Sequence, residues 1–391
     1  MTVSHPSGHA RHRRPRKRLP AVLAVAMAAV VAGVVVLIAV LWGGRNPDLD
    51  RATSSGRPAG GTEAGATEAA TARSRAPGTA APQPAASLAT PTAGPAIPVG
   101  RAPHFVEVAP DGRFAYIADP GAGAVFRFDT ASSTVTATIP IAEGPPQMLT
   151  FSPDGKWAYV AGYSADYSVD YVDFIDTSND SVVATVPVGR GPYAVGTSPD
   201  GRRLYVPLYD DDHLDVIDTA TRTVVGRIPA APCPHWIAFS RDGRFAYVTN
   251  HFTDVVSVLQ LSNDTVVSTI PVGDGPHSLA MSPDGTRVSV VNYISNDVTS
   301  IDTASNTVAG TFPVGAQPQD VVYAPDGRHF YTANVLEGTV AVVDSATGAV
   351  TARIPTGASP TSISVLPDGS RALVTNFDDG TIRVLNTAAP G

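Results

Sequence analysis

The chain has 391 residues, 43% of them hydrophobic but only 16% charged, with 35 Gly, 35 Pro, a single Cys and a formal net charge of -8. One cysteine closes no internal disulfide and makes no Cys-rich zinc module. So much glycine and proline argues against a mainly helical chain, because both are poor in helix interiors and mark turns. A turn-rich β protein is the expectation.

Residues 1–19 hold Arg11, Arg13, Arg14, Arg16, Lys17 and Arg18 and no acid, and 20–42 then run without any charge. A helix over 20–42 is long enough to cross a hydrocarbon core of roughly 30 Å. The rival reading is a cleaved secretory signal with Ala24-Val25-Ala26 as its small-residue site. Typical signal cores of about 7–15 residues are shorter, so an uncleaved anchor is favoured. The basic cluster ahead of the helix keeps the N-terminus cytoplasmic and exports the chain beyond residue 42. Residues 43–94 are mostly Ala, Thr, Gly, Pro and Ser, with Leu49 and Leu88 as the large apolar side chains. Such a segment buries too little to offset its ordering entropy and reads as a disordered stalk.

The remaining stretch, 95–391, carries 16 Lys/Arg against 31 Asp/Glu, a net -15. Nucleic acid is therefore a poor partner for it, since tracking phosphates needs the opposite sign. Asp-Gly pairs recur at Asp111, Asp154, Asp200, Asp242, Asp284, Asp326 and Asp368, at intervals of 43, 46, 42, 42, 42 and 42 residues. Proline precedes each pair except at Arg241, and the pattern is that of a tight hairpin turn. In the unit 236–273 the runs 236–239, 245–249, 255–259 and 266–272 give four short strands, labelled a to d. A four-stranded unit every 42 residues or so predicts a seven-bladed β-propeller. Strand d carries Pro140, Pro187, Pro229, Pro271, Pro313 or Pro355, and a residue without a ladder N–H belongs on the outer edge. The last unit runs out before its strand d, while Ala96-Ile-Pro-Val-Gly100 stands ahead of the first. The N-terminal strand is thus expected to complete the seventh blade and leave no open edge.

Tyr247-Val-Thr-Asn250, with variants at 331–334 and 373–376, resembles the YVTN-type repeats of YncE-like bacterial propellers, as do the neighbouring Ile-Pro-Val-Gly and Ser-Pro-Asp-Gly stretches. The resemblance covers about 95–391 and implies an exported seven-bladed propeller. The family it points to mostly lacks assigned chemistry, and it carries no catalytic set onto this chain.

Strand direction puts the b–c and d–a loops on one face. Seven residues before each repeat Asp stand His104, Gln147, Tyr193, His235, His277, Gln319 and Thr361. Nine after it stand Pro120, Tyr163, Tyr209, His251, Tyr293, Val335 and Phe377. Rings and polar tips gathered round one mouth suit a protein, peptide or glycan ligand, and Tyr163, Tyr193, Tyr209, His235, His251, His277, Tyr293 and Phe377 are the expected ligand-binding residues. His235, His251 and His277 are the ligands if a metal binds. Their spacing repeats only because the blade does, so no cofactor is expected. Cys233 is a lone, buried-type thiol. Asp210-Asp211-Asp212 and Asp166/Asp170/Asp173 lack the spacing of a calcium loop and read as solvated charge. No catalytic motif is present. The leading reading is a non-catalytic binding scaffold; the alternatives are a metal-dependent, lyase-like enzyme and a subunit supporting a redox partner, though without a Cys-x-x-Cys-His motif.

Overall fold

The computed structural model describes residues 83–164 and 168–389. The basic tail 1–19, the apolar segment 20–42 and residues 43–82 lie outside the described residues. Among the described residues no helix is long and apolar enough to cross a membrane.

The described residues form seven antiparallel sheets of four strands each, in the order a-b-c-d. In blade 4 the strands are Pro234–Phe239, Phe245–Asn250, Val255–Gln260 and Thr265–Pro271, within two residues of the sequence expectation at each end. Each Asp-Gly turn uses its glycine at φ between 67° and 76°, as at Gly112, Gly243 and Gly369, a left-handed conformation that favours glycine. The strand-d prolines sit on the outer strands, and the closure is as expected. Ser87–Pro98 pairs antiparallel with Thr381–Ala388, with Pro98 opposite Thr381 and Ile97 opposite Ile382.

That closing strand corrects the stalk boundary. Residues 87–94, expected to be disordered, belong to the outer strand of blade 7. The Ser87 hydroxyl donates to Asp326 Oδ1 at 2.8 Å and its N–H to Oδ2 at 2.6 Å, reaching the turn of blade 6. An outer strand needs few large side chains, because ladder hydrogen bonds hold it and one face meets water; only Ser87 and Pro91 are buried along it.

The tyrosine of the repeat tetrapeptide joins neighbouring blades. Tyr205 donates its hydroxyl to Asp264 and Tyr247 to Asn306, both at 2.9 Å, in the c–d turn of the following blade. The Tyr331 hydroxyl, in the blade before the closure, has no partner among the described residues. Its counterpart turn position, residue 390, lies outside them. Asp173 is not solvated loop charge, as its run suggested: it lies in strand Asp170–Asp176, is 1% exposed, and accepts from Thr185 at 2.6 Å.

Candidate functional site

A β-bulge at the start of the inner strand builds the mouth. In blade 4, Pro234 pairs with Asn250 and Trp236 with Thr249, leaving His235 as the extra residue. The same irregularity spans Gln147, His277, Gln319 and Thr361 in their blades. A bulge re-aims the side chain it carries, and in these five blades it falls on the residue seven before the repeat Asp. The N–H that the bulge leaves without a ladder partner is taken up by the threonine of the tetrapeptide. Thr249 Oγ1 accepts from Trp236 N at 3.0 Å and donates to the His277 carbonyl of the next blade at 2.9 Å. Thr375 does the same between Ser362 and His104. The asparagine is structural too: Asn250 Nδ2 donates to the d–a loop carbonyl of Ala231 at 2.6 Å.

The expected residues do come together. Tyr193 stacks on His235 with ring centroids 4.1 Å apart, and His235, His251 and His277 lie 4.3 to 5.7 Å from one another. Tyr209 meets His235 and His251, Tyr293 meets His277, and Phe377 meets His104. Tyr163 sits close enough to help raise the Tyr193 hydroxyl pKa, whose main cause is burial. His104 and Gln319, in the same row seven residues before the repeat Asp but not among the expected binders, join across the channel: His104 Nε2 lies 3.2 Å from the Tyr193 hydroxyl and 3.3 Å from Gln319 Nε2. Beneath them Phe105 and Trp236, from blades 1 and 4, meet at 5.7 Å. The mouth is therefore closed by its own side chains, and His235 and His251 are only 5% and 3% exposed.

Each histidine is fixed in one tautomer. His235 Nδ1 donates to the His277 carbonyl at 3.0 Å, His277 Nδ1 to the Gln319 carbonyl at 2.8 Å, and His251 Nδ1 to the Pro276 carbonyl at 3.3 Å. The Nε2 atoms are left as hydrogen-bond acceptors. Burial lowers all four imidazole pKa values, His235 to about 3 with His251 adding to the effect, and His277 well below its ordinary value. They are neutral at pH 7. A base held so far below the working pH is poorly matched to proton transfer near neutrality. Deeper in the channel, burial raises Glu107 to about 8 and Asp320 to about 6, so Glu107 is mostly protonated at neutral pH. Among the described residues no group of His, Cys, Asp or Glu is arranged to hold a metal ion. Cys233 is a poor thiolate, its pKa raised to about 11 by burial and then by Asp212.

Several loop carboxylates serve the scaffold. Asp254 accepts from Gly275 N at 2.9 Å, Asp211 from Arg190 N at 2.6 Å and Asp379 from Ala358 N at 2.6 Å, each pinning a d–a loop. Repeat alignment missed the position one residue further along the b–c loop. There Phe252, Ile294 and Leu336 stand 38%, 53% and 69% exposed on consecutive blades. Their signal lay in the same register, next to His251, Tyr293 and Val335.

The sequence pattern of a YNCE-like beta-propeller matches residues 236–335. Together with the seven four-stranded blades, this supports a likeness to the YncE-like seven-bladed propellers. Hydrazine synthase of Kuenenia stuttgartiensis has a similar solved structure, with a TM-score of 0.68 at 22% identity over 75% of this chain and 98% of that one. At that identity the likeness concerns the fold alone. No curated protein sequence matches the chain.

Proposed function

We propose that the protein is a membrane-anchored, extracytoplasmic recognition module that binds a protein, peptide or glycan across the face of the b–c and d–a loops and performs no chemistry there. The anchor rests on the uncharged segment 20–42 behind its basic tail. One observation supports the binding reading above the others: the mouth is a packed floor of rings and neutral imidazoles, with Tyr209, Tyr293 and Phe377 part-exposed at its rim. A floor of this kind offers stacking area and hydrogen-bond acceptors to a ligand lying over it rather than a deep cavity that swallows a substrate. The low imidazole pKa values speak in the same direction.

The test is a glycan array and a peptide array probed with the wild type and with the double variant Tyr209→Ala/Tyr293→Ala. Each ring contributes about 0.5–1.5 kcal/mol, so a hit on this face weakens about 5- to 150-fold. A ligand whose affinity is unchanged sits elsewhere and sinks the proposal.

A further inference from the structure

Charge and apolar surface are segregated on the mouth face. Phe252, Ile294 and Leu336 occupy the same loop position on blades 4, 5 and 6. The other exposed large apolar side chains among the described residues, Val183, Val225, Val267 and Val308, lie on outer strands instead. Phe252 continues inward to the floor, with ring centroids 5.0 Å from His251 and 5.7 Å from Tyr209. Ile294 lies over Gly275, where a β-carbon would fall 2.8 Å from Ile294 Cγ1. On either side the same loops turn acidic: exposed Asp210 and Asp212 on blade 3, exposed Asp378 and Asp379 on blade 7, with Asp274 along the row and Glu337 there paired with Arg353 at 3.3 Å. Among exposed loop residues of that face, Arg101 and Arg190 are the basic ones, while Arg113, Lys156, Arg202, Arg241 and Arg244 belong to the opposite turns.

We infer that this face docks a peptide segment with an apolar centre and basic flanks, its apolar side chains on Phe252, Ile294 and Leu336 and its lysines or arginines against the carboxylates of blades 3 and 7. The inference rests on the recognition reading of the same face and narrows its ligand to one class. Charge complementarity argues for it: an acidic segment laid along the same row would place its ends against carboxylates of like charge. The floor cannot soften that repulsion, because its imidazoles present lone pairs rather than protons. Basic flanks meet carboxylates outside and acceptors and ring faces inside, where a cation over Tyr209 or Phe252 gains a further attraction.

The test uses three synthetic peptides, measured by fluorescence anisotropy and stopped flow: an apolar centre flanked by lysines, the same centre flanked by glutamates, and a lysine-bearing scramble without the apolar centre. Asp210→Asn/Asp274→Asn removes two exposed carboxylates that make no side-chain hydrogen bond among the described residues, so folding is spared. It should slow association of the lysine-flanked peptide about five-fold and flatten its dependence on salt, as rim charges act mainly on the on-rate. Ile294→Ser/Leu336→Ser, also at exposed positions, should speed its release about ten-fold. The scramble should bind weakly and ignore the serine variant. Equal binding of the scramble, with no effect of Ile294→Ser/Leu336→Ser, means long-range attraction only and overturns the inference. Binding of the glutamate-flanked peptide or of an array glycan through Tyr209 and Tyr293, without the lysine-flanked one, also overturns it but leaves the recognition reading standing. Failure of every array probe and every peptide would remove both.

Discussion

Thr249→Val is the substitution that best probes how the mouth is built. Valine keeps the volume and branching of threonine and removes only the hydroxyl, at a site that is 0% exposed. Two hydrogen bonds go with it, the 3.0 Å bond from Trp236 N and the 2.9 Å bond to the His277 carbonyl. The Trp236 N–H is left buried without its partner, an orphan that costs about 1–3 kcal/mol, while the His277 carbonyl keeps the bond from His235 Nδ1. At roughly 2–3 °C per kcal/mol this lowers the melting temperature by about 2–9 °C in calorimetry. Because the His277 carbonyl also receives His235 Nδ1, the imidazole pair should loosen too, visible as a change in histidine ring signals by NMR. Thr375→Val, which breaks the equivalent bonds between Ser362 and His104, should behave alike. Melting curves that overlay the wild type for both variants would refute the view that the bulge depends on this hydroxyl.

Deleting residues 83–94 removes two-thirds of the closing strand and the Ser87 bonds to Asp326, and should lower the melting temperature, whereas a true stalk could be removed without effect. His235 stays neutral in the fold down to about pH 3 while its unfolded counterpart takes up a proton near 6.5, so its contribution to stability falls as pH drops through that window. In His235→Phe the stability difference between pH 7 and pH 5 should therefore shrink by about 2 kcal/mol in urea titrations. Glu107 runs the other way: with a folded pKa of about 8 it holds a proton that the unfolded chain loses above about 4.5, and Glu107→Gln should abolish a loss of stability between about pH 5 and 8. Purified protein should carry no stoichiometric transition metal; metal that is present and disappears in His235→Ala/His277→Ala would return the metal-dependent enzyme to consideration.

Much of the mouth was legible because a repeat fixes register. Once Asp242 and Asp284 are aligned, His235 and His277 must occupy equivalent places, and the structure puts their rings 4.3 Å apart. Tyr193, Tyr209 and Tyr293 followed by the same rule. Alignment could not say which way these side chains point, since period-2 alternation would send alternate residues of the inner strand to opposite sides. The bulge at His235 breaks that alternation, and nothing in Pro234-His-Trp236 announces it. Nor could alignment show Phe252, Ile294 and Leu336 as exposed, because a loop residue next to a buried one carries no periodicity of its own. Residues 87–94 escaped for a different reason: composition reports how much a segment can bury, while their order comes from backbone pairing with Thr381–Ala388.

The sequence by itself therefore determined the number of blades, the turn residues, the outer strand and the N-terminal closure, all of which depend on local chemistry repeated at a fixed interval. Tertiary structure decided whether the mouth is open or filled, that the histidines are held neutral by burial and bonded through Nδ1 to backbone carbonyls, and where the apolar row lies between two acidic flanks. Those depend on distances between side chains from different blades. Such distances are set by how far each bulge turns its residue into a channel that all the blades share, and no single repeat contains that information.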